Sequence, residues 1–324
     1  MSDAILSAHS LVKHFKAGGW GPNRKVVRAV DDVSFEVAPG ETLGVVGESG
    51  CGKSTTARLL THLLPSDTGE VRLRGRVAGT EVPLKDFRRQ VQMVFQDSYA
   101  SLNPRMTMID AVAFGPTVHG LTLDEARRRA AGLLERVGLD PARFGPRYPH
   151  EISGGQRQRV NIARALAFDP EVIVLDEAVS ALDKSVEAQV LNLLTELRRE
   201  RNLTYIFISH DLNVVRHISD RVMVMYLGEV VEIGPTREIY AQACHPYTEA
   251  LLAAMPSLDP DRRTRKAPLQ GDPPNPIDPP SGCRFHTRCP KVFAPCAAHS
   301  PGGRAVGRRH VAACHLTEAR EAAE

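Results

Sequence analysis

The sequence predicts an α/β fold with a mainly parallel sheet, followed by a small cysteine-rich segment. Three observations carry that prediction. Runs that are apolar throughout occur at residues 43–46, 172–175 and 205–208, as parallel strands buried on both faces require. Helical stretches lie between them, and strands alternating with helices build a parallel sheet. The composition then shifts: six prolines fall between Pro268 and Pro280, and four of the six cysteines follow at Cys283, Cys289, Cys296 and Cys314.

At roughly 100–200 residues per domain, the 324 residues make room for two, and we place the boundary between 1–235 and 236–324. With 42% hydrophobic and 24% charged residues, a mostly disordered chain and a coiled-coil rod are excluded. No run of about 18 apolar residues occurs, so no membrane-spanning helix is expected. The first residues lack the basic segment and long apolar run of a secretory signal. A cytosolic location with reduced thiols is therefore expected. The net charge of +3 and 5% aromatic content argue against nucleic-acid binding.

The first strand, 43–46, leads into Gly47-Glu48-Ser49-Gly50-Cys51-Gly52-Lys53-Ser54-Thr55 and a helical stretch at 56–64. Gly-x4-Gly-Lys-Ser in this context is a phosphate loop. Its glycines let successive N–H groups point at phosphate oxygens, and the helix N-terminus adds positive potential. Lys53 would reach the β- and γ-phosphates and Ser54 would hold Mg²⁺. The plain alternative is a glycine-rich turn capping a helix. Gln96 follows a strand at 91–95. Thr122 and Glu125 are spaced as a capping box opening a helix at 122–137 that stops at Gly138. Ser153-Gly154-Gly155 precede a helical run at 156–168, and such a start presents N–H groups and a hydroxyl to an anion; an ordinary serine cap is the alternative. Strand 172–175 ends in Asp176-Glu177. Asp176 suits Mg²⁺, and Glu177 suits the general base for an attacking water. Alone, such a pair is often a turn or cap. The helix at 186–199 carries Val186, Val190, Leu193, Leu194 and Leu197 on one face. Strand 205–208 is followed by His210, which alone would be a structural hydrogen-bonder.

Ile152-Ser153-Gly154-Gly155-Gln156-Arg157-Gln158-Arg159 resembles the signature motif of ATP-binding cassette (ABC) ATPases. Gln96 resembles the family's Q-loop glutamine, Ser180-Ala181-Leu182-Asp183 its D-loop and His210 its switch histidine, all in the family's order. The resemblance covers residues 1–235. It implies a P-loop NTPase ABC cassette: a RecA-like parallel core, an antiparallel β part and a helical subdomain. ATP and Mg²⁺ are the implied cofactors. Residues 47–55 would hold the phosphates, with Lys53 also catalytic, and Ser54, Gln96 and Asp176 would hold Mg²⁺. Phe15 would stack on adenine, with a simple core phenylalanine as the alternative. Ser153, Gly154, Gly155 and Gln156 would close on the nucleotide of a second chain. Glu177 and His210 would drive hydrolysis.

Three further segments resemble the dipeptide and oligopeptide permease ATPases, most closely their F-type subunit. They are Ser101-Leu102-Asn103-Pro104, Arg147-Tyr148-Pro149-His150-Glu151 and His245-Pro246-Tyr247-Thr248-Glu249-Ala250-Leu251-Leu252. That resemblance implies an ATPase that powers peptide import. Its partners would be a second ABC ATPase subunit, in a homo- or heterodimer, two membrane permease subunits and, indirectly, a peptide-binding protein. It would sit peripherally on the cytoplasmic face of the inner membrane, without nucleic acid.

The tail cysteines are spaced Cys-x5-Cys-x6-Cys-x17-Cys. Reduced thiols this close point to a soft metal or cluster, and the gaps fit zinc knuckles poorly. The permease resemblance implies a [4Fe–4S] cluster, with zinc and free thiols as alternatives. His286, His299, His310 and His315 are candidate substitute ligands but are expected at the surface. Cys51 lies in the phosphate loop, and Cys244 is expected to pack as a small apolar side chain. Trp20 sits in a Gly-rich insertion at 17–25 and takes no role. The rival functions are a soluble ABC ATPase acting on ribosomes or DNA and a cluster-dependent redox regulator.

Overall fold

The computed structural model describes residues 4–17, 25–255, 271–272 and 274–317. Trp20, Pro268 and Pro273 lie outside them. The chain divides into two compact units that interleave along the sequence. One comprises Met1–Leu6, Val37–Glu41 and Leu73–Ser209; the other comprises Ser7–Glu36, Thr42–Arg72 and His210–Glu324.

In the first unit, strands Val91–Val94, Val172–Asp176 and Thr204–Ile208 lie side by side and parallel, in register from Val91↔Val172 and from Val172↔Thr204. Every residue of the latter two strands is buried, which is why residues 172–175 and 205–208 read as unbroken apolar runs. Helices Met108–Val118, Leu123–Arg136 and Gly154–Leu166 pack on one another. Thr122 and Glu125 form the predicted capping box at the start of the second of these. Helix Lys184–Arg201 buries Val190, Leu191, Leu193, Leu194 and Leu197. It ends at Asn202 in the left-handed region (φ 51°), one of the few non-glycine types that tolerate such a cap.

In the second unit, strand Thr42–Val46 pairs parallel with Arg221–Tyr226. Beyond it the ladder is antiparallel, through Glu229–Pro235 and His310–Ala312 to Arg304–Gly307. Two strands from the cysteine-rich end of the chain thus extend the sheet, with Ile233 opposite Val311. A second sheet places strand Leu6–Ala17 between Lys25–Val37 and Thr68–Leu73. Buried Val33, Phe35 and Val37 alternate with exposed neighbours there, a period-two signal legible in the sequence.

Polar contacts fasten the chain's last described stretch. Glu232, 1% exposed, accepts the N–H groups of Cys244 (2.8 Å) and His245 (3.0 Å) and faces His310 Nε2 at 2.8 Å. Burial alone would raise the Glu232 carboxyl, but these contacts outweigh it and hold it below the usual range. His310 is therefore buried, not at the surface as the sequence led us to expect, because it pairs with a buried acid. His315 is buried too, its Nε2 2.9 Å from the His299 carbonyl. Cys244 is half-buried, and its sulfur shares a group with Glu232 and His310 whose polar atoms lie within 4.8 Å of one another. It is thus not a purely apolar filler.

The His-Pro-Tyr segment opens helix Pro246–Ala253. His245 is the N-cap, its Nδ1 accepting the Tyr247 N–H at 3.0 Å, and Pro246 occupies the first helical position, where no N–H is needed. A ring that accepts at Nδ1 has to be neutral, and burial holds the His245 pKa down to about 4. Unfolding restores an ordinary histidine that takes up a proton between pH 6.5 and 4. Stability from this residue is therefore complete above pH 6.5 and falls by as much as about 3 kcal/mol as pH drops through 4. Urea unfolding of His245→Asn, which keeps a capping acceptor, should show a shallower loss than the unmodified chain between pH 6.5 and 4.5. Parallel slopes would remove His245 as the titrating group.

Candidate nucleotide site

The phosphate loop belongs to the second unit and leaves strand Thr42–Val46 to enter helix Lys53–Leu60. Its shape is possible only without side chains at two points. A Cβ on Gly47 would lie 2.3 Å from the Met225 carbonyl oxygen, and one on Gly52 2.2 Å from that of Ala29. Gly52, at φ 108°, is the N-cap and offers no side-chain oxygen to the first turn of the helix. That turn presents main-chain donors and the positive end of the helix dipole, the chemistry an anion needs. Lys53 is 6% exposed and folds back on the loop, its Nζ donating to the carbonyls of Gly47 (2.7 Å) and Glu48 (3.0 Å). Burial raises the Cys51 thiol, outweighing the nearby Lys53 ammonium, so Cys51 is a protonated, packed thiol. Ser54 and Thr55 are half-buried; Ser49 and Gly50 are exposed. Gly50 has open space where a side chain would be. A glycine loop exposed at Ser49 and Gly50, with one buried lysine and a hydroxyl beside it, fits the triphosphate and Mg²⁺ of ATP.

Phe15, also in this unit, is 39% exposed with the Lys13 ammonium 5.8 Å from its ring centre. It presents a ring face and is not a core side chain. His210 is exposed directly after strand Thr204–Ile208.

The first unit holds the remaining predicted residues. Asp176 is buried at the end of its strand. Glu177 follows with φ 46°, a left-handed conformation that costs a non-glycine residue about 1–2 kcal/mol. The cost is met by three bonds: its N–H donates to the Ile208 carbonyl (3.0 Å), and its own carbonyl accepts the N–H (3.2 Å) and hydroxyl (2.9 Å) of Ser180. The turn directs the carboxylate to Gln96, whose Nε2 donates to it at 2.9 Å. Sequence reasoning assigned these two side chains separate roles and gave no sign that they touch.

Ser153 caps helix Gly154–Leu166. Its hydroxyl accepts the Gln156 N–H, and Gln156 Oε1 accepts the Ser153 N–H at 2.9 Å. Both the predicted cap and the exposed serine of an anion clamp are thus present. Gly155 has a packing reason as well, since a Cβ there would lie 2.4 Å from Val186 Cγ1. Asp183, in the segment likened to a D-loop, caps helix Lys184–Arg201 through the Val186 N–H (2.9 Å).

Strand, glycine loop, Lys-Ser and helix define a P-loop nucleotide-binding protein. A family model for the ABC transporter matches residues 30–180, and one for the oligopeptide/dipeptide transporter C-terminal region matches 231–296. The chain is 47% identical to the oligopeptide transport ATP-binding protein AppF of Bacillus subtilis, over 97% of this chain and 98% of that one. It is 45% identical to the di/tripeptide transport ATP-binding protein DppF of Pseudomonas aeruginosa, with 98% of each covered. Among solved structures, a dimeric ATP-binding cassette in a post-hydrolysis state bound to ADP and Pi matches with a TM-score of 0.63 and 29% identity, covering 72% of this chain and 99% of that one. The chain belongs to the ATP-binding proteins of ABC transporters, in the group that carries the oligopeptide/dipeptide C-terminal region, and it has their P-loop cassette fold of mixed sheet and helices.

The comparisons overturn one expectation, the iron–sulfur cluster on Cys283, Cys289, Cys296 and Cys314. The matching families and relatives are ATP-binding transport proteins, not iron–sulfur proteins. Burial pushes the Cys283 thiol up to about 11 and raises Cys289 and Cys314, so these sulfurs are protonated as they stand. Cys289 Sγ accepts the Lys291 N–H at 3.4 Å. Ion pairs and aromatic contacts hold the segment as well. Arg284 pairs with Asp31 and, at 2.9 Å, with Glu229, and Phe285 is buried against the rings of Tyr226, Tyr247 and His245.

Glu177→Gln should bind ATP as the unmodified chain does while phosphate release falls at least ~100-fold, because an amide cannot take the proton of water. Unaltered turnover would exclude Glu177 as the base. Lys53→Ala should weaken ATP binding itself, and equal affinity in an equilibrium titration would contradict the loop assignment.

Proposed function

We infer that this chain is the ATP-hydrolysing subunit that powers uptake of di- or oligopeptides through an ABC transporter. The observation that carries the reading is the pairing, in one chain, of a complete set of cassette motifs with the oligopeptide/dipeptide C-terminal region. Full-length similarity to transport ATPases favours it over an ABC ATPase working on ribosomes or DNA. Residues 1–235 serve as the nucleotide-binding part and 236–324 as the accessory part.

The roles follow from the chemistry of each group. The loop main chain from Gly47 to Thr55, apart from the Glu48 N–H, and the Lys53 ammonium would hold the phosphates, and Ser54, Asp176 and Gln96 would supply oxygen ligands to Mg²⁺, whose charge would offset that on the transferring phosphoryl group. Glu177 accepts a proton from the attacking water while the Gln96 amide holds its carboxylate in place. His210 steadies the γ-phosphate end. Phe15 stacks on adenine. Ser153, Gly154, Gly155 and Gln156 close on nucleotide held by a second copy or a second ATPase subunit. Among the described residues no helix is long and apolar enough to cross a membrane, so translocation needs separate permease chains. The place of work is the cytoplasmic face of the membrane that holds them, and a peptide-binding protein acts on their other side.

Affinity purification from native membranes should recover two permease chains and an ATPase partner, and deletion of the gene should abolish growth on a peptide as sole source of a required amino acid. Recovery of ribosomes without permease chains, with peptide uptake intact, would overturn the reading.

A further inference from the structure

One residue of the phosphate loop is held by groups 199 and 240 positions further along the chain. Glu48 donates its N–H to the Tyr247 hydroxyl at 2.9 Å. Its carboxylate takes both arms of Arg288, Oε2 to Nη1 at 2.7 Å and Oε1 to Nη2 at 3.1 Å. Its carbonyl accepts the Lys53 ammonium at 3.0 Å. Glu48 is thus gripped through its N–H, side chain and carbonyl, and two of the three grips come from the C-terminal stretch. All of these residues lie in the second unit.

The gripping groups are themselves fixed. The Arg288 side chain is only 6% exposed; Nη1 also lies 3.3 Å from the Tyr226 hydroxyl, and Nη2 donates to the Gly271 carbonyl at 3.0 Å. Tyr247 is fully buried, its ring centre 4.6 Å from that of Tyr226 and 5.3 Å from that of Phe285. Tyr226 ends the strand that pairs with the one feeding the loop, Val46 lying opposite Val224. A half-buried, two-armed Arg–carboxylate pair fixes orientation as well as charge. A free surface glutamate would leave the loop's entry to wander.

We propose that the C-terminal stretch clamps the phosphate loop through Glu48, making Arg288 and Tyr247 positioning residues for nucleotide binding. The inference rests on the nucleotide reading of the loop. Neither side chain touches phosphate in this scheme. They hold the Glu48 main chain where Lys53 can move between its carbonyl and the β- and γ-phosphates without the loop refolding. When the clamp opens, only part of the population keeps a loop competent for phosphate, and apparent affinity falls by that fraction. This gives the His-Pro-Tyr segment a task beyond its helix: His245 and Pro246 set the start, and Tyr247 reaches the loop.

The test uses the full chain with Arg288→Gln, Arg288→Lys, Tyr247→Phe, Glu48→Gln and the Glu48→Gln/Arg288→Gln double variant. Two quantities are read: hydrogen exchange of residues 47–54 without nucleotide, and the Kd for a fluorescent ATP analogue with Mg²⁺. Arg288→Gln should speed exchange in that segment and raise the Kd by about tenfold each, the size of one lost charge-assisted pair. Arg288→Lys, which keeps the charge but not the fork, should recover part of both. The double variant should be no worse than the worse single one. Tyr247→Phe keeps the ring packing and removes only the hydroxyl, so it carries the test should Arg288→Gln fold poorly; it should raise exchange within 47–54 and nowhere else in the chain. Exchange and Kd within twofold of the unmodified chain in Arg288→Gln and Tyr247→Phe would overturn the clamp, as would additive losses in the double variant. If the unmodified chain binds no ATP, the nucleotide reading falls, while exchange still decides whether the clamp exists.

Discussion

A loop that binds phosphate with its own main chain must keep several N–H groups pointed outward and carry no side chain where it turns back on the sheet. Most of the second unit follows from that constraint. Gly47 and Gly52 pass so close to the carbonyls of Met225 and Ala29 that no other residue fits. The passing strands then have to be rigid. They are buried Val45, Val46, Val222, Met223 and Val224, paired in parallel register. The helix that follows begins without a side-chain cap, a state that costs stability in an ordinary helix and is useful only where an anion completes it.

The first unit solves a different problem, that of holding a carboxylate at the end of a strand in one orientation. Asp176 stays on the strand and is buried with it. Glu177 turns into the left-handed region, so the chain leaves the sheet and the next side chain faces elsewhere. Strain of this kind persists only where surrounding bonds over-determine it. Here the Ile208 carbonyl and Ser180 do so, and Gln96 then fixes the carboxylate itself. Ser153 uses an equally local device: one capping box sets the helix start and leaves the serine itself exposed.

The last third of the chain shows how a segment poor in regular structure can be ordered by polar anchors. Glu232 gathers donors from Cys244, His245 and His310; Arg284 and Arg288 each reach acids more than fifty residues away. Burying a charge is tolerated only when its partner comes with it, so these contacts also dictate which conformation the segment takes. Protonated thiols at Cys283, Cys289 and Cys314 then pack as small side chains in a framework already set by ion pairs and aromatic contacts.

The local elements were legible because each is encoded by neighbours. The apolar run before Gly47, the Thr122–Glu125 capping box, the spaced leucines of helix Lys184–Arg201 and the phosphate-loop glycines all state short-range rules of sterics and hydrogen bonding. The order of motifs carried the family in the same way. Contacts between residues far apart in the chain leave no such mark. No period or spacing links Gln96 to Glu177, His310 to Glu232, or Arg288 to Glu48, and the histidines of the tail read as surface residues. Order along the chain is enough to set the elements, the phosphate loop and the chemistry available. Which side chains meet and which polar groups are buried is settled on folding, because the free energy of a buried charge depends on a partner brought from elsewhere in the chain.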